Sequence, residues 1–288
     1  MSLIRVVVTG ATGLLGQEIK RVFHNNGYEV DAPYHKNLDI TDFHQVAKYL
    51  RSSFGDVVIN CAAYTAVDEA EAEPTQANIV NGLGVRNFAL VCKELDIPLV
   101  HISTDYVFGG EGYSPWRIFD ERDPVNAYGY SKYLGERYLE SINPKYYLVR
   151  TSWLFGAGGP NFVSTMLRLA ASGSELHVVN DQFGCPTYAP DLAVAIADLV
   201  ETGAYGTYHI TNQGITNWYE YAKFIVREAG YDVSVIPVST AEFPRPARRP
   251  SYSALDPFPL EETIGHLLRP WQDAVLAYLE EIKAKEVF

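Results

Sequence analysis

The sequence predicts an α/β protein with a doubly wound parallel sheet, followed by a smaller C-terminal domain. Three observations favour this fold class. Short runs of β-branched residues alternate with amphipathic helical segments through the first half of the 288-residue chain. A glycine-rich turn follows the first of these runs and opens a helix. The regular alternation then ends near residue 150, where aromatic and glycine-rich segments follow.

Composition and charge exclude several classes of protein. The net charge is −12 and the residues are 47% hydrophobic, an ordinary globular composition. This negative charge argues against broad contacts with nucleic acid or an anionic membrane. Three separated cysteines favour neither a disulfide framework nor a zinc site, and no apolar segment reaches membrane-spanning length. The first residues lack a signal-peptide layout, so we expect a cytoplasmic protein.

The first predicted elements are a strand over residues 3–8 and a helix over residues 14–25. The turn between them has Gly10, Gly13 and Gly16 in the spacing G-x-x-G-x-x-G. Such glycines permit a tight turn, close approach of backbone to a pyrophosphate, and packing of helix on strand. A dinucleotide site in a Rossmann-type fold is therefore predicted, with a glycine-rich turn of another α/β protein as the alternative. The same predicted site includes Thr12, Leu14 and Leu15.

A second strand is predicted over residues 28–32, and the residues after it indicate which dinucleotide binds. An acidic residue that holds a ribose 2′-hydroxyl is expected about 20 residues beyond the glycines. The chain has His35 and Lys36 there instead. A basic pair suits a 2′-phosphate, so the sequence favours NADPH, with NADH as the alternative. Asp39 and Ile40 are also predicted to contact the cofactor.

The next two strands are predicted over residues 56–61 and 99–103, with a long amphipathic helix over residues 77–95 between them. The carboxyl ends of strands in an open α/β sheet form its ligand-binding edge. Small residues after the first of these strands leave room there for a ligand, although close packing explains each of them equally well. The predicted cofactor residues at this position are Cys61, Ala62, Ala63 and Tyr64.

A hydroxyl and a tyrosine–lysine pair are predicted at the same edge. Thr104 follows the fourth strand, and its hydroxyl can bond a carbonyl oxygen. Tyr128 and Lys132 lie four residues apart at the start of a helix, so both side chains share one face. The ammonium, and an oxidised nicotinamide when one is bound, are expected to lower the pKa of the phenol, which would then donate a proton to a ketone. Each feature alone also fits an ordinary strand end or helix, and their convergence favours catalysis.

The second half predicts a smaller, substrate-binding domain. Residues 1–150 are predicted to form the NAD(P)-binding domain and residues 151–288 mainly the substrate-binding domain. The segment near residues 190–212 is expected to return to the first domain. A strand is predicted over residues 146–151. Further helices are predicted over residues 162–171, 191–200, 218–228 and 271–283, and strands near residue 177 and over residues 208–211.

A basic cluster stands out in this acidic chain. Arg245, Arg248 and Arg249 lie within five residues. Guanidinium groups pair with phosphate oxygens two at a time, so the cluster suits a diphosphate-linked substrate. A solvated basic loop is the alternative. Trp153 could stack on a sugar or base, with a buried core tryptophan as its alternative.

Several motifs together resemble the extended short-chain dehydrogenases/reductases, and within them the dTDP-4-dehydrorhamnose reductase family. They are residues 9–16, 60–68, 103–108, 128–132, 150–153, 181–187 and 249–256. This resemblance covers nearly the whole chain. It implies NADPH- or NADH-dependent reduction of the C4 ketone of dTDP-4-dehydro-6-deoxy-L-mannose to dTDP-L-rhamnose, for polysaccharide biosynthesis.

The resemblance also implies roles for single residues. Tyr128 would give a proton to the C4 oxygen, and Lys132 would bond the nicotinamide ribose. Thr104 would orient the carbonyl, with support from Asp105. The implied sugar-pocket residues are Val67 and Trp153, and those on the nucleotide side are Asn161, Gln182 and Arg249. Family members are often dimers and some bind magnesium between subunits. We expect a possible homodimer and, for lack of an acidic cluster, no metal.

Two alternatives stay open. One is a nucleotide-sugar epimerase or dehydratase of the same fold. Such enzymes typically have an Asp-Glu pair beside the threonine, whereas here Asp105 and Tyr106 follow Thr104. The other is a non-catalytic regulatory subunit, like the one that associates with methionine adenosyltransferase. Retention of Thr104, Tyr128 and Lys132 disfavours it.

Overall fold

The computed structural model describes residues 4–53 and 55–286, so the predicted first residue of the first strand, Leu3, lies outside the described residues. The first half contains β1 (Arg5–Thr9), α1 (Leu14–Asn25), β2 (Glu29–Asp31), α2 (Phe43–Ser53), β3 (Val57–Asn60), α3 (Val67–Ala72), α4 (Pro74–Asn78), a π-helical segment (Ile79–Leu83), α5 (Gly84–Leu95), β4 (Leu99–Thr104), a 3₁₀ turn (Asp105–Val107), α6 (Ala127–Ile142) and β5 (Tyr146–Thr151). The second half contains β6 (Leu154–Phe155), α7 (Phe162–Ala171), β7 (Leu176–Val179), β8 (Phe183–Gly184), β9 (Thr187–Tyr188), α8 (Ala189–Thr202), β10 (Gly206–His209), β11 (Thr216–Asn217), α9 (Trp218–Glu228), β12 (Val235–Val238), a second 3₁₀ turn (Thr240–Glu242), α10 (Leu260–Ile264) and α11 (Trp271–Glu286).

A six-stranded sheet organises the fold. Its strand order is β10-β5-β4-β3-β1-β2, and every neighbouring pair is parallel. The chain crosses from one side of the sheet to the other between β2 and β3, which flank β1. Ligands of open α/β sheets bind at such a switch point, outside the carboxyl ends of the strands. The predicted doubly wound parallel sheet is confirmed.

Helices cover both faces of this sheet. Side chains along a strand alternate between the two faces, and β1 shows this directly. Val6 and Val8 pack into a core with α1 and α8, whereas Val7 packs into a core with α2 and α5. All three valines are completely buried, as the β-branched run predicted. Among the described residues, no helix is both long and apolar enough to span a membrane.

The C-terminal part contains a further core of its own. There α7, α9 and α11 surround aromatic side chains that include Phe155, Tyr221 and Tyr278. The short strands β7 and β12 pair in parallel beside them. By contrast, α8 packs against α1, and β10 completes the large sheet beside β5. Residues 189–209 therefore lie with the sheet, while the division of the chain into two domains near residue 150 stays a prediction.

Candidate active site

A cleft of about 830 Å³ opens at the carboxyl ends of β1, β3 and β4. All the predicted catalytic residues line it, and so does every predicted cofactor residue except Lys36. From the predicted substrate set, Val67 and Trp153 also line the cleft, whereas Asn161, Gln182 and Arg249 lie outside its lining. The cleft thus combines residues as far apart in sequence as Thr9 and Trp153. They meet because the parallel strands of the sheet all end at the same edge.

The glycine turn forms a cradle at one end of the cleft. Gly10 has a φ of +65°, and a Cβ there would lie 2.5 Å from the backbone nitrogen of Ala62. A Cβ on Gly16 would overlap the carbonyl oxygen of Gly10, so only glycine allows α1 to approach β1 this closely. Gly13 is the N-cap of α1 and has no side chain to cap it. The first-turn N–H groups are therefore available to an anion, and the cradle fits a dinucleotide diphosphate.

Residues after β2 also line the cleft. The carboxylate of Asp31 accepts a 2.7 Å hydrogen bond from the Tyr49 hydroxyl. Asp39 accepts hydrogen bonds from the backbone N–H and the hydroxyl of Thr41, at 2.9 and 2.8 Å. Both carboxylates are therefore engaged within the protein, and His35 is the basic residue that lines the cleft here. Lys36 is exposed and lies outside the lining.

Thr104 is fixed by two hydrogen bonds at the end of β4. Its hydroxyl donates to Oδ1 of Asp105 at 3.0 Å and accepts from the backbone N–H of Tyr106 at 3.2 Å. Burial raises the pKa of Asp105 to about 6, although Ser253 and Thr104 act in the opposite direction. Oδ2 of Asp105 has no hydrogen-bond partner in the described part of the chain. The Asp105 carboxyl therefore becomes protonated as the pH falls through about 6.

Tyr128 lies in the first turn of α6, where Asn126 caps the helix by accepting a 2.7 Å hydrogen bond from the N–H of Gly129. The Tyr128 ring meets that of Tyr106 edge to face, with centroids 5.9 Å apart. Burial raises the pKa of Tyr128, and Thr104 lowers it by a smaller amount. The prediction that Lys132 lowers the tyrosine pKa is therefore wrong, because loss of solvent outweighs the favourable contacts, while a lowering by bound oxidised nicotinamide stays a prediction. The phenol is protonated at neutral pH.

Lys132 lies one helical turn beyond Tyr128, as the spacing predicted. Its ammonium donates a 2.6 Å hydrogen bond to the carbonyl oxygen of Ile102. Burial lowers its pKa to about 8, while Glu136 and Cys61 act in the opposite direction. A lysine with this pKa can take part in proton exchange close to physiological pH.

Asn81 is a buried site residue to which the sequence assigned no role. It lies in the π-helical segment before α5, and such segments are frequent at functional sites. Its Oδ1 accepts from the N–H of Tyr64 at 2.8 Å, and its Nδ2 donates to the carbonyl of Tyr64 at 2.9 Å and to the hydroxyl of Ser131 at 2.8 Å. Asn81 thereby holds the cleft wall after β3 against α6. The feature of the sequence that could have identified Asn81 is a polar amide inside a predicted amphipathic helix.

Trp153 and Trp218 form an aromatic wall of the cleft. Their rings stack with centroids 3.5 Å apart and planes 10° apart. Trp153 has a φ of +48°, which is unusual for a residue other than glycine and typical of functional sites. A Cβ on Gly184 would lie 2.6 Å from the Trp153 ring, so glycine is needed beneath it. Trp218 was not predicted, because only the fold brings the start of α9 to the cleft.

Arg249 and Gln182 lie in a neighbouring cavity of about 840 Å³ that Arg245 and Arg248 also line. The guanidinium of Arg249 donates to Asp68 at 2.8 Å and to the Tyr106 hydroxyl at 3.4 Å. Because Tyr106 also lines the first cleft, Arg249 links the two cavities. Gln182 donates to the hydroxyl of Thr240 at 2.9 Å, and both residues line the same cavity.

Asn161 has a structural task in this fold. It is the N-cap of α7, where Oδ1 accepts from the N–H of Ser164 at 3.1 Å and Nδ2 donates to the carbonyl oxygens of Gly156 and Gly159. Its predicted substrate role stays a prediction. Over residues 4–53 and 55–286, no group of three or more His, Cys, Asp or Glu side chains could hold a metal ion. The expectation that no metal binds also stays a prediction.

The chain is similar to known proteins over nearly its whole length. A family model described as RmlD substrate binding domain matches residues 4–284. The chain is 43% identical to the spore coat polysaccharide biosynthesis protein SpsK of Bacillus subtilis (strain 168), covering 96% of this chain and 97% of that protein. It is 41% identical to the dTDP-4-dehydrorhamnose reductase of Mycolicibacterium smegmatis, covering 94% of this chain and 84% of that protein. A crystal structure of dTDP-4-dehydrorhamnose reductase from Bacillus anthracis in complex with NADP matches with a TM-score of 0.94 and 41% identity, over 97% of this chain and 100% of that one.

Proposed function

Because this chain belongs to the RmlD family of dTDP-4-dehydrorhamnose reductases, we propose that it reduces the C4 ketone of dTDP-4-dehydro-6-deoxy-L-mannose with NADPH and produces dTDP-L-rhamnose. The observation that carries this proposal is that Thr104, Tyr128 and Lys132 line the same cleft as the glycine cradle. A proton donor and a dinucleotide site in one cleft are the two components that ketone reduction needs.

The cofactor site is formed by residues that fit a dinucleotide. Gly13 and the first turn of α1 would hold the diphosphate through backbone N–H groups. His35 would lie near the adenine ribose, where a basic side chain suits the 2′-phosphate of NADPH. When bound, NADPH supplies the hydride that reduces the ketone carbon. Lys132 would bond the nicotinamide ribose through the N–H groups that Ile102 leaves free.

Tyr128 gives its hydroxyl proton to the C4 oxygen of the substrate. The phenol is protonated at neutral pH and so begins the reaction as a donor, while burial raises its pKa and makes that proton harder to release. Thr104 lies beside it and is held in one orientation by Asp105 and the backbone of Tyr106. A bound ketone can compete with Asp105 for the Thr104 hydrogen, and so the carbonyl is aligned.

Residues from both halves of the chain would hold the substrate. Trp153 and Val67 would contact the sugar, and the wall that Trp153 forms with Trp218 supplies an apolar surface suited to a sugar ring. Arg249 would bind the diphosphate, since it is placed between the two cavities and keeps donors beyond those used by Asp68. Gln182 and Asn161 belong to the same proposal on the nucleotide side.

The activity is tested with purified protein, NADPH and the dTDP-4-keto sugar. We expect loss of the NADPH absorbance together with formation of dTDP-L-rhamnose, identified by mass and by chromatography against a standard. An epimerase or dehydratase would interconvert nucleotide sugars without net consumption of NADPH. A regulatory subunit would neither consume NADPH nor convert the sugar. Interconversion without NADPH consumption, or no reaction at all, would contradict the proposal. A cytoplasmic location, a homodimer and the absence of nucleic-acid binding also stay proposals, and sedimentation tests the homodimer.

A further inference from the structure

Thr151 is the last residue of β5 and lines the cleft. The residue is only 7% exposed. Its hydroxyl oxygen is buried and has no hydrogen-bond partner within residues 4–53 and 55–286. Burial of a hydroxyl without a partner costs free energy, and such groups in a native fold are few. The proposed reaction assigns no task to this hydroxyl.

The neighbouring hydroxyls of the cleft differ from that of Thr151 because they are engaged within the protein. Thr104, its Cα partner on β4, donates to Asp105 at 3.0 Å. Ser152, which follows it in the chain, donates a 2.6 Å hydrogen bond to the carbonyl oxygen of Cys185. Thr151 therefore supplies a hydroxyl to the cleft wall that keeps both its hydrogen and its lone pairs for a ligand.

The face of the sheet to which Thr151 points follows from the alternation of side chains along β5. Arg150 points to the face covered by α6, where its guanidinium bonds Glu136. Val149 points to the other face and packs into the core that contains α1. Thr151 lies two residues beyond Val149 and so shares its face. It is thus on the side of the sheet where the glycine cradle opens α1.

The place of Thr151 along the edge of the sheet indicates which part of a dinucleotide would meet it. The strand order is β10-β5-β4-β3-β1-β2, and His35, proposed for the adenine ribose, follows β2 at one end of this row. Dinucleotides bind across the switch point of such a sheet, so their second half extends towards β4 and β5. Lys132, proposed for the nicotinamide ribose, bonds the carbonyl oxygen of Ile102 on β4. Thr151 is one strand further in the same direction.

We propose that the hydroxyl of Thr151 binds the carboxamide group of the nicotinamide ring of NADPH. A carboxamide has a carbonyl oxygen that accepts and an NH₂ group that donates, and a threonine hydroxyl can pair with either of them. This hydrogen bond would restrict rotation of the ring and so select the face that it turns towards the ketone carbon. The inference rests on the proposed reductase function, because it takes NADPH as the ligand.

The first test measures binding and needs no turnover. Thr151→Val keeps the branched shape and removes the hydroxyl, whereas Thr151→Ser keeps the hydroxyl. Calorimetric titration gives the Kd of NADPH and of 2′-phospho-ADP-ribose, which lacks the nicotinamide ring. We expect Thr151→Val to weaken NADPH binding by about five- to tenfold, the range of one hydrogen bond, and to leave binding of 2′-phospho-ADP-ribose unchanged. Thr151→Ser should recover most of the NADPH affinity.

Thr187 provides a matched control. Its hydroxyl is also buried without a partner among the described residues, but Thr187 lies outside the lining of the cleft. Thr151→Val and Thr187→Val each remove a hydroxyl of this kind, so each should leave the urea midpoint of the cofactor-free protein unchanged or raise it. Only Thr151→Val should weaken NADPH binding. Retained stability with reduced affinity separates a ligand contact from a structural role.

Several results would overturn the proposal. Wild-type affinity for NADPH in Thr151→Val would remove the hydroxyl from the cofactor site, and an equal loss for 2′-phospho-ADP-ribose would place the effect away from the carboxamide. A lowered urea midpoint in Thr151→Val would show that the hydroxyl bonds within the protein. If only the KM for the sugar nucleotide rises, the hydroxyl binds the sugar instead. A wild type that binds NADPH with the expected differences but does not reduce the keto sugar would refute only the reductase function.

Discussion

The hydroxyl of Thr104 donates its hydrogen to Asp105 over 3.0 Å, and the second oxygen of this buried carboxyl has no partner among residues 4–53 and 55–286. A carboxylate that is shielded from solvent, with one oxygen lacking a hydrogen-bond partner, is an unfavourable place for a negative charge. Its protonation therefore affects both the stability of the fold and the availability of the Thr104 hydrogen. Both effects depend on pH.

The first prediction concerns the stability cost of this carboxylate. The pKa of Asp105 is raised to about 6 in the folded protein, against about 3.9 in an unfolded chain. The folded state thus binds the proton more tightly, so the contribution of the group is fully present below about pH 4 and is lost as the pH rises through about 6. We expect Asp105→Asn to raise the free energy of unfolding by about 1–3 kcal/mol at pH 7.5 and by little at pH 4.

Urea unfolding of both proteins at the two pH values measures this difference. The matched control is Asp123→Asn, which changes an exposed carboxyl and should alter the free energy of unfolding by no more than about 0.5 kcal/mol. Equal effects of the two substitutions would show that burial of Asp105 does not perturb its ionisation.

The second prediction concerns the proton donor. Tyr128→Phe removes the hydroxyl and keeps the ring that contacts Tyr106. We expect turnover to fall by at least about 100-fold, the usual contribution of a positioned acid, with NADPH affinity unchanged. Tyr130→Phe is the control, since this exposed tyrosine lies two residues further on the same helix. A near-normal kcat in Tyr128→Phe would remove Tyr128 from the proposed role.

Much of the fold was predictable because local signals determine it. The glycine turn and the β-branched runs placed β1 and α1, and the predicted bounds of α1, α7 and α9 are those in the structure. The i, i+4 spacing of Tyr128 and Lys132 likewise placed both side chains in the cleft. Such features depend on residues close in sequence, so one chain is sufficient to read them.

The rest of the candidate site depends on contacts between distant segments. His101 reaches Lys132, and Trp218 reaches Trp153, only after the sheet and the C-terminal helices have packed. The pKa of Tyr128 was predicted with the wrong sign because the neighbouring lysine is visible in the sequence, whereas the degree of burial is not. Asn161 shows a different limit of the sequence. The segment for which the sequence suggested substrate binding also encodes a helix cap, and the sequence does not separate the two roles.

The third prediction concerns the basic cluster. Arg249 is partly buried against Asp68 and Tyr106, whereas Arg248 is exposed and pairs with exposed Glu111. We expect Arg249→Ala to raise the KM for the sugar nucleotide by about 10- to 100-fold, the range of a lost charge-assisted hydrogen bond, with kcat nearly unchanged. Arg248→Ala should change it far less. If the two variants have the same KM, the cluster is a solvated loop.

The fourth prediction separates cofactor binding from folding at the glycine turn. Gly13 has a φ of −75°, and a Cβ there would lie 3.3 Å from the carbonyl oxygen of Gly10, which the backbone can accommodate by a small shift. We expect Gly13→Ala to weaken NADPH binding by about tenfold or more, because the methyl group occupies the diphosphate cradle, and to change the free energy of unfolding by about 1 kcal/mol or less. Fluorescence titration and urea unfolding measure the two quantities. Gly159→Ala, with open space around the new Cβ, is the control, and retained affinity in Gly13→Ala would contradict the cradle.

The fifth prediction concerns the buried ion pair beneath the catalytic helix. The side chains of Glu136 and Arg150 are 0% and 1% exposed, and they form hydrogen bonds of 2.8 and 2.9 Å. Burial raises the pKa of Glu136, but Arg150, Ser103 and Arg122 outweigh it, so the pKa is lowered. The pair is therefore intact above the ordinary carboxyl pKa and is lost only as the pH falls through the lowered value.

Glu136→Gln should be strongly destabilising because it leaves the Arg150 guanidinium buried without a counter-charge, which typically costs about 3–5 kcal/mol. Glu140→Gln is the matched control on the same helix, since Glu140 is 25% exposed and pairs with Arg122, so that about 0–1 kcal/mol is expected. Chemical unfolding at pH 7 gives both values. Equal losses of stability in the two variants would mean that water reaches Arg150 in Glu136→Gln. The ion pair between Glu136 and Arg150 would then contribute little to holding α6 in place.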